Sequence, residues 1–135
     1  MRKDNGKAEI IAFDLDDVLC VRDNDEGAIK KYLSCKPIQE MIEICNKCYD
    51  DGYEIVIYTA RGMTSFKGNH HEVYDNLFEL TRQQLTDWGV KYHKLIMGKA
   101  HYDLLIDDKA SFSGDICEIN DVKRALAGRR FTYVD

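Results

Sequence analysis

The stretch that decides the fold is residues 10–19, with the sequence IIAFDLDDVL. Its first four residues are apolar and are typical of a buried strand, which stops abruptly at Asp14 and Asp16. Carboxylates beside an apolar core are costly unless a cation or hydrogen bonds compensate them. Parallel α/β sheets bind their ligands at the carboxyl ends of the strands. The stretch therefore predicts a site for a metal ion and a phosphate group at the end of this strand.

A second apolar run, residues 53–58, ends at Thr59, Ala60 and Arg61. This tripeptide is a candidate substrate-binding segment, because it follows a strand end. The side chain of Arg61 could reach a second anionic or hydroxyl group of a substrate. A salt bridge from Arg61 to acidic loop residues is the alternative, and the sequence does not choose between the two.

A third apolar run, residues 102–106, ends at Asp107 and Asp108, and Lys99 comes shortly before it. Each of these features alone is a weak signal. Their order along the chain, an Asp-x-Asp, then a threonine, then a lysine and then an acidic pair, is specific.

This order resembles the haloacid dehalogenase (HAD) superfamily of phosphohydrolases, over roughly residues 9–110. The resemblance implies that Asp14 is the nucleophile and Asp16 the general acid/base. It also implies that Thr59 and Lys99 bind the transferred phosphoryl group. Attack by Asp14 on phosphorus would form an aspartyl-phosphate, and Asp16 would move protons to the leaving oxygen and from the attacking water.

The resemblance further implies a Mg²⁺ ion. Asp14 and Asp107 would bind it through their side chains and Asp16 through its backbone carbonyl, with Asp108 positioning a metal-bound water or the site lysine. Mg²⁺ takes hard oxygen ligands and needs only one or two protein carboxylates. It would offset the repulsion between a dianionic phosphate ester and an anionic nucleophile.

The chain departs from the family pattern at two positions. Asp17 stands where the family often has glycine, and Ala100 where it often has proline. Neither position supplies the chemistry.

We expect one domain over residues 1–135, with an α/β, Rossmann-like, doubly wound, mainly parallel sheet, helices on both faces and no cap domain. The strand order of the family would place the first strand in the centre, between the second and the fourth. The predicted strands lie near residues 9–13, 53–58, 92–96, 102–106 and 131–134. The predicted helices begin near residues 37, 70 and 120, with a loop at residues 20–36. The apolar stripe predicted for the second helix is Tyr74, Leu77, Phe78, Thr81, Leu85 and Trp88.

Composition narrows the class of protein. The formal net charge is −5, which gives no electrostatic footprint for nucleic acid or an anionic membrane. Five scattered cysteines favour reduced thiols and a cytoplasmic location over a disulfide framework. Cys45 and Cys48 fall inside a predicted helix and are expected to be buried thiols. Cys20 and Cys35 border the first loop without a partner motif.

The spacing between the motifs leaves no room for a cap, so we expect an open site beside residues 20–36 and 61–69. Such a site suits a large substrate, or a small one enclosed by a neighbouring subunit of a homo-oligomer. The motifs look most like small phosphatases of bacterial capsule and surface-polysaccharide biosynthesis, which implies a sugar or polyol phosphate. His70 and His71 lie near the expected mouth of the site, as lid residues or as plain surface.

Two alternatives stay open. One is a nucleotide or nucleic-acid 3′-phosphatase, against which the acidic charge balance counts. The other is a receiver-type phospho-acceptor signalling module. A receiver places its acidic pair first along the chain and lacks a counterpart of Asp16, so Asp16 is the discriminating residue.

Overall fold

A computed structural model describes residues 6–129 and shows a mixed α/β fold with a parallel sheet. The chain divides into two compact units, Met1–His101 and Tyr102–Asp135. The elements of the first unit are β1 (Ile10–Phe13), β2 (Cys20–Val21), α1 (Lys30–Leu33), β3 (Lys36–Pro37), α2 (Gln39–Asp50), β4 (Glu54–Thr59), α3 (His70–Asp87) and β5 (Lys94–Met97). The second unit contains a 3₁₀ turn at Ser113–Asp115 and helix α4 (Ile119–Arg129).

The sheet of the first unit has the strand order β1-β4-β5, and both pairs are parallel. Phe13 lies opposite Ile57, and Thr59 lies opposite Met97. All three strands run in the same direction, so their carboxyl ends meet at one edge. The residues after β1, β4 and β5 therefore share a neighbourhood.

One face of this sheet carries the core. Phe13, Ile55 and Ile57 are buried there, and α2 contacts β4 while α3 contacts β5. The opposite face includes Ile10 and Tyr58, which are partly exposed. Val56, on the same face as Tyr58, is buried, and helices on both faces of the sheet stay a prediction.

Helix α3 begins at its predicted position, but its buried stripe is rotated. Val73, Leu77, Thr81 and Leu85 are buried, whereas Tyr74 is 38% exposed. The Tyr74 hydroxyl instead accepts the Met97 N–H at 3.0 Å and donates to the Met97 carbonyl at 3.3 Å. Tyr74 thus provides a hydrogen-bond partner for the N–H and the carbonyl of Met97 in β5. The spacing of apolar residues does not reveal this role.

The segment predicted as a loop at residues 20–36 is ordered. Strands β2 and β3 form an antiparallel ribbon in which Cys20 lies opposite Pro37, and the short helix α1 lies between them. Because Pro37 belongs to this ribbon, α2 begins at Gln39 rather than at the proline.

The strand predicted at residues 102–106 is wrong. A strand exists only through its hydrogen-bonded partner. The described part of the second unit contains no strand with which residues 102–106 could pair. Within residues 6–129, β1 therefore has β4 as its one strand partner and lies at the edge of the sheet, not in its centre. The predicted strand at residues 131–134 lies outside the described residues.

The turn after β1 depends on an unusual backbone conformation at Asp17. Its φ is 69°, in the left-handed region, and its N–H donates to the Cys20 carbonyl at 2.7 Å. This conformation explains why glycine would suit the position, since glycine adopts it without strain.

We expect Asp17→Gly to keep or slightly raise the melting temperature. We expect Asp17→Val to lower the free energy of unfolding by about 1–2 kcal/mol, the cost of a left-handed conformation for a side chain that does not tolerate it. Denaturant unfolding measures both. Equal stability of the two variants would contradict this account of the turn.

None of the helices in the described part of the chain combines the length and the apolar character needed to cross a lipid bilayer.

Candidate active site

Asp14 stands directly after β1 as a half-buried carboxylate. Its Oδ1 accepts the Leu15 N–H at 2.8 Å, and its Oδ2 lies 3.7 Å from the Lys99 Nζ. Burial raises the pKa of Asp14 above its ordinary value of 3.8, although the Leu15 N–H and the Lys99 charge act in the opposite direction. Its negative charge is therefore incompletely compensated.

Lys99 reaches Asp14 from the segment that follows β5. The Lys99 N–H donates to the Thr59 carbonyl at 3.1 Å, which ties this segment to the end of β4. The preceding residue, Gly98, has φ 89° and lies under the His70 ring, where a Cβ would come within 2.7 Å of a ring atom. A side chain at position 98 would therefore push Lys99 or His70 out of place.

Thr59 ends β4 and is almost completely buried. Its hydroxyl oxygen accepts the Arg61 N–H at 3.0 Å, which turns the chain away from the strand. The Ala60 carbonyl accepts the Met63 N–H at 2.9 Å, so the predicted substrate-binding segment is a tight, ordered turn.

Asp16 is bound by Arg61 through two hydrogen bonds. The Arg61 Nη2 lies 2.8 Å from Oδ1 and the Nε lies 3.1 Å from Oδ2. The Arg61 side chain has no exposed surface, and that of Asp16 is 16% exposed. Two parallel bonds of this kind fix the plane and direction of the carboxylate.

The pocket that holds Arg61 is assembled from α1 and α3. The guanidinium lies 4.7 Å from the centre of the Tyr32 ring, and its Nη1 donates to Thr81 at 3.1 Å and Gln84 at 2.6 Å. The Gln84 amide in turn donates to the Tyr32 carbonyl at 2.6 Å. Every nitrogen of the guanidinium has a partner.

This geometry corrects the expectation that Arg61 contacts the substrate. Its guanidinium is buried and fully bonded within the protein, so the salt-bridge alternative describes it better. The acidic partner is Asp16 rather than a residue of the charged loop.

Two thiols complete the surroundings of Arg61. Cys20 and Cys35 each place their sulfur 3.6 Å from the Arg61 Nη2, and these sulfurs and an Asp16 oxygen lie within 4.8 Å of one another. Three such ligand atoms would suit a metal ion, but the Arg61 Nη2 already contacts all three of them. The hydrogen bond from Cys20 and the Arg61 charge lower the pKa of Cys35.

The structure brings six predicted site residues of the first unit together: Asp14, Asp16, Thr59, Ala60, Arg61 and Lys99. A continuous series of contacts runs from Asp14 through Lys99, Thr59 and Arg61 to Asp16.

Asp107 and Asp108 belong to the second unit. There the Asp107 Oδ1 accepts the Lys109 N–H at 2.8 Å. Their role as metal ligands stays a prediction from the sequence.

The donors near Asp14 fit the Mg²⁺ ion that the resemblance implies. The Asp14 carboxylate is partly desolvated, and its nearest cation is 3.7 Å away, so it can accept a divalent ion. The Asp16 carboxylate fits a cation less well, because the buried Arg61 guanidinium already compensates its charge. The role of the Asp16 carbonyl as a main-chain ligand stays a prediction from the sequence.

Sequence reasoning missed the residues that hold Arg61. Tyr32 and Gln84 gave no signal, since each lies in a segment without a motif. Thr81 gave a faint one, as a hydroxyl within an otherwise apolar stripe. Cys20 and Cys35 gave no signal either, because they lie far apart along the chain. Only the β2–β3 ribbon brings them together.

Comparisons with known proteins identify a fold and no family. A scan against protein-family models finds no match, and a search of curated proteins finds none either. A crystal structure of a target protein from Vibrio cholerae superposes with a TM-score of 0.76. It matches 89% of this chain and 98% of its own, with 23% sequence identity. At this identity the likeness shows a shared fold alone.

Proposed function

We propose that this protein is a cytoplasmic Mg²⁺-dependent phosphomonoesterase of the HAD type, acting through an aspartyl-phosphate. The proposed fold is the capless, doubly wound Rossmann-like one of that superfamily. The proposed substrate is a small sugar or polyol phosphate used in surface-polysaccharide biosynthesis, and a homo-oligomer that encloses the site is compatible with it.

The observation that supports this proposal best is the series of contacts joining Asp14, Lys99, Thr59, Arg61 and Asp16. These residues come from three separate segments of the chain; parallel pairing brings the strand ends to one edge, but it does not require carboxylates, a lysine and a threonine to stand there. Their meeting at the carboxyl edge of a parallel sheet matches the requirements of a phosphoryl-transfer site.

In the proposed reaction, Asp14 attacks phosphorus while Lys99 balances the charge on Asp14 and on the phosphoryl oxygens. Catalysis of this kind is mainly positioning and electrostatic stabilisation. When bound, Mg²⁺ would neutralise further charge on the phosphoryl group; the Asp14 carboxylate and the Asp16 carbonyl would hold it, with Asp107 as the further ligand predicted from the sequence.

Asp16 has the proton-transfer role in this proposal. A general acid must be held within hydrogen-bond reach of the leaving oxygen, and Arg61 sets the direction of the Asp16 carboxylate. Arg61 is thus a positioning residue and does not itself touch the substrate.

The test is phosphate release from a panel of phosphate monoesters by the purified protein. We expect turnover with Mg²⁺, loss of turnover to background in a chelator, and recovery when Mg²⁺ is restored. The panel should include sugar phosphates, polyol phosphates and nucleoside 3′-phosphates. Full turnover in the chelator would contradict the metal assignment.

The panel also separates the alternatives. Preference for nucleoside 3′-phosphates would favour the nucleotide phosphatase. A stable phospho-protein formed from a small phosphodonor, without release of phosphate, would favour the receiver-type module.

A further inference from the structure

The ribbon formed by β2 and β3 brings two cysteines together beside the Asp16–Arg61 pair. Cys20 lies opposite Pro37 in the ribbon, and Cys35 directly precedes β3. Their sulfurs lie within 4.8 Å of each other, and both are free thiols. The two residues are separated along the chain, so the ribbon creates this proximity.

The two thiols differ in access. Cys20 is fully buried, whereas Cys35 is 8% exposed. Cys45 and Cys48 are also buried, with no exposed surface at all. Cys35 is therefore the most accessible of the four cysteines of the first unit, and Cys20 is its neighbour.

We propose that Cys20 and Cys35 are a redox-modification site that forms a reversible intramolecular disulfide on exposure to hydrogen peroxide. The Cys35 sulfur attacks a peroxide oxygen, the O–O bond breaks, and Cys35 becomes a sulfenic acid as one water leaves. The Cys20 sulfur then attacks the Cys35 sulfur, the S–O bond breaks, and a second water leaves. Together the two thiols lose two electrons and two protons, and hydrogen peroxide takes up these electrons and protons to form two waters.

Formation of the bond would disturb the neighbouring ion pair. A disulfide brings two sulfurs to about 2.05 Å, so the two side chains must rotate toward each other and the segment around Cys35 is expected to move with them. That segment is tied to Tyr32, whose carbonyl accepts the Cys35 N–H at 3.3 Å. Both sulfurs also contact the Arg61 Nη2. Oxidation therefore loosens the pocket of Arg61 and with it the orientation of Asp16.

The experiment treats the full chain with hydrogen peroxide and maps disulfides by tandem mass spectrometry. A Cys117→Ser background removes the exposed thiol of the second unit, which could link two chains. We expect a Cys20–Cys35 cross-link, a mass lower by two hydrogen atoms, and full reversal by dithiothreitol. Cys35→Ser should abolish the cross-link, while Cys45→Ala, a change at another buried thiol, should keep it.

Activity is the second readout, and it alone rests on the proposed phosphatase function. We expect the cross-linked protein to lose activity on the order of a hundredfold, the scale of a small misplacement of catalytic groups, and to regain it on reduction. Cys35→Ser should be insensitive to peroxide.

Two results would overturn parts of the proposal separately. Oxidation that stops at Cys117, or that modifies Cys35 without cross-linking it to Cys20, would overturn the disulfide. A complete cross-link with unchanged activity would overturn its effect on Asp16. Absence of phosphatase activity in the reduced protein would count against the proposed function and leave the mass-spectrometric test of the disulfide intact.

Discussion

Replacing Asp14 with asparagine is expected to abolish phosphate release while leaving the fold intact. The variant keeps the size of the side chain but removes the nucleophile, so only binding and electrostatic stabilisation remain. The rate should fall on the order of 10⁵-fold or more, as when an enzyme loses its nucleophile. Single-turnover and steady-state assays of phosphate release on an aryl phosphate would measure the loss.

The matched control is Asp17→Asn, three residues further along the same turn. Asp17 is exposed and asparagine tolerates its positive φ, so this variant should keep wild-type activity. Retention of most activity in Asp14→Asn would contradict the covalent mechanism. Comparable losses in the two variants would show instead that the turn is sensitive to any change.

Asp14→Asn should also raise the stability of the folded protein at neutral pH. Because burial raises the pKa of Asp14 above its ordinary value of 3.8, the folded state favours the protonated form and the ionised form weakens it. The wild type therefore gains stability relative to Asp14→Asn as the pH falls through the folded pKa. The advantage of the variant should be fully present near pH 7 and should vanish below about pH 3.8, where the carboxyl is protonated in both states.

Thermal unfolding in a chelating buffer, at neutral and at acidic pH, would measure this difference. A variant less stable than the wild type at pH 7 would show that Lys99 compensates the Asp14 charge completely. An active-site residue that lowers stability is expected where function requires a charge that folding does not favour.

The sequence predicted those parts of the site that local patterns encode. Asp14 follows one clear apolar run and Thr59 ends another, and parallel pairing brings strand ends together without further information. Lys99 was predicted only from its place before the acidic pair. Their meeting required only the order of the elements and the direction of the strands.

The surroundings of Asp16 could not be predicted in this way. The Arg61 pocket combines Tyr32 from a short helix with Thr81 and Gln84 from a long one. These contacts depend on how α1, α3 and the turn after β4 pack against one another. The spacing of residues along the chain does not indicate this packing. The segment at residues 102–106 shows the opposite error, a strand predicted where none forms. Its apolar run is compatible with a strand, but a strand also needs a neighbouring strand to pair with.

Replacing Arg61 with methionine should cost more stability than other single changes near the site. The substitution leaves the Asp16 carboxylate, which is 16% exposed, without its buried partner. Removing one member of a buried ion pair costs about 3–5 kcal/mol. Arg82→Met is the control, because Arg82 pairs with Glu79 on the exposed surface of α3 and such pairs contribute little. Denaturant unfolding of both variants would measure the contrast.

Kinetics of Arg61→Lys then separate positioning of Asp16 from contact with the substrate. Lysine keeps the charge but cannot make two parallel bonds to one carboxylate while also bonding Thr81 and Gln84. If Arg61 acts through Asp16, kcat should fall about 10²-fold, within the range that a positioned acid–base group contributes. The loss should be larger for an alkyl phosphate than for a nitrophenyl phosphate, because a poor leaving group depends more on protonation. KM should change little on either substrate. A rise in KM confined to a sugar phosphate, with kcat unchanged, would instead mean that Arg61 leaves Asp16 and binds the substrate directly.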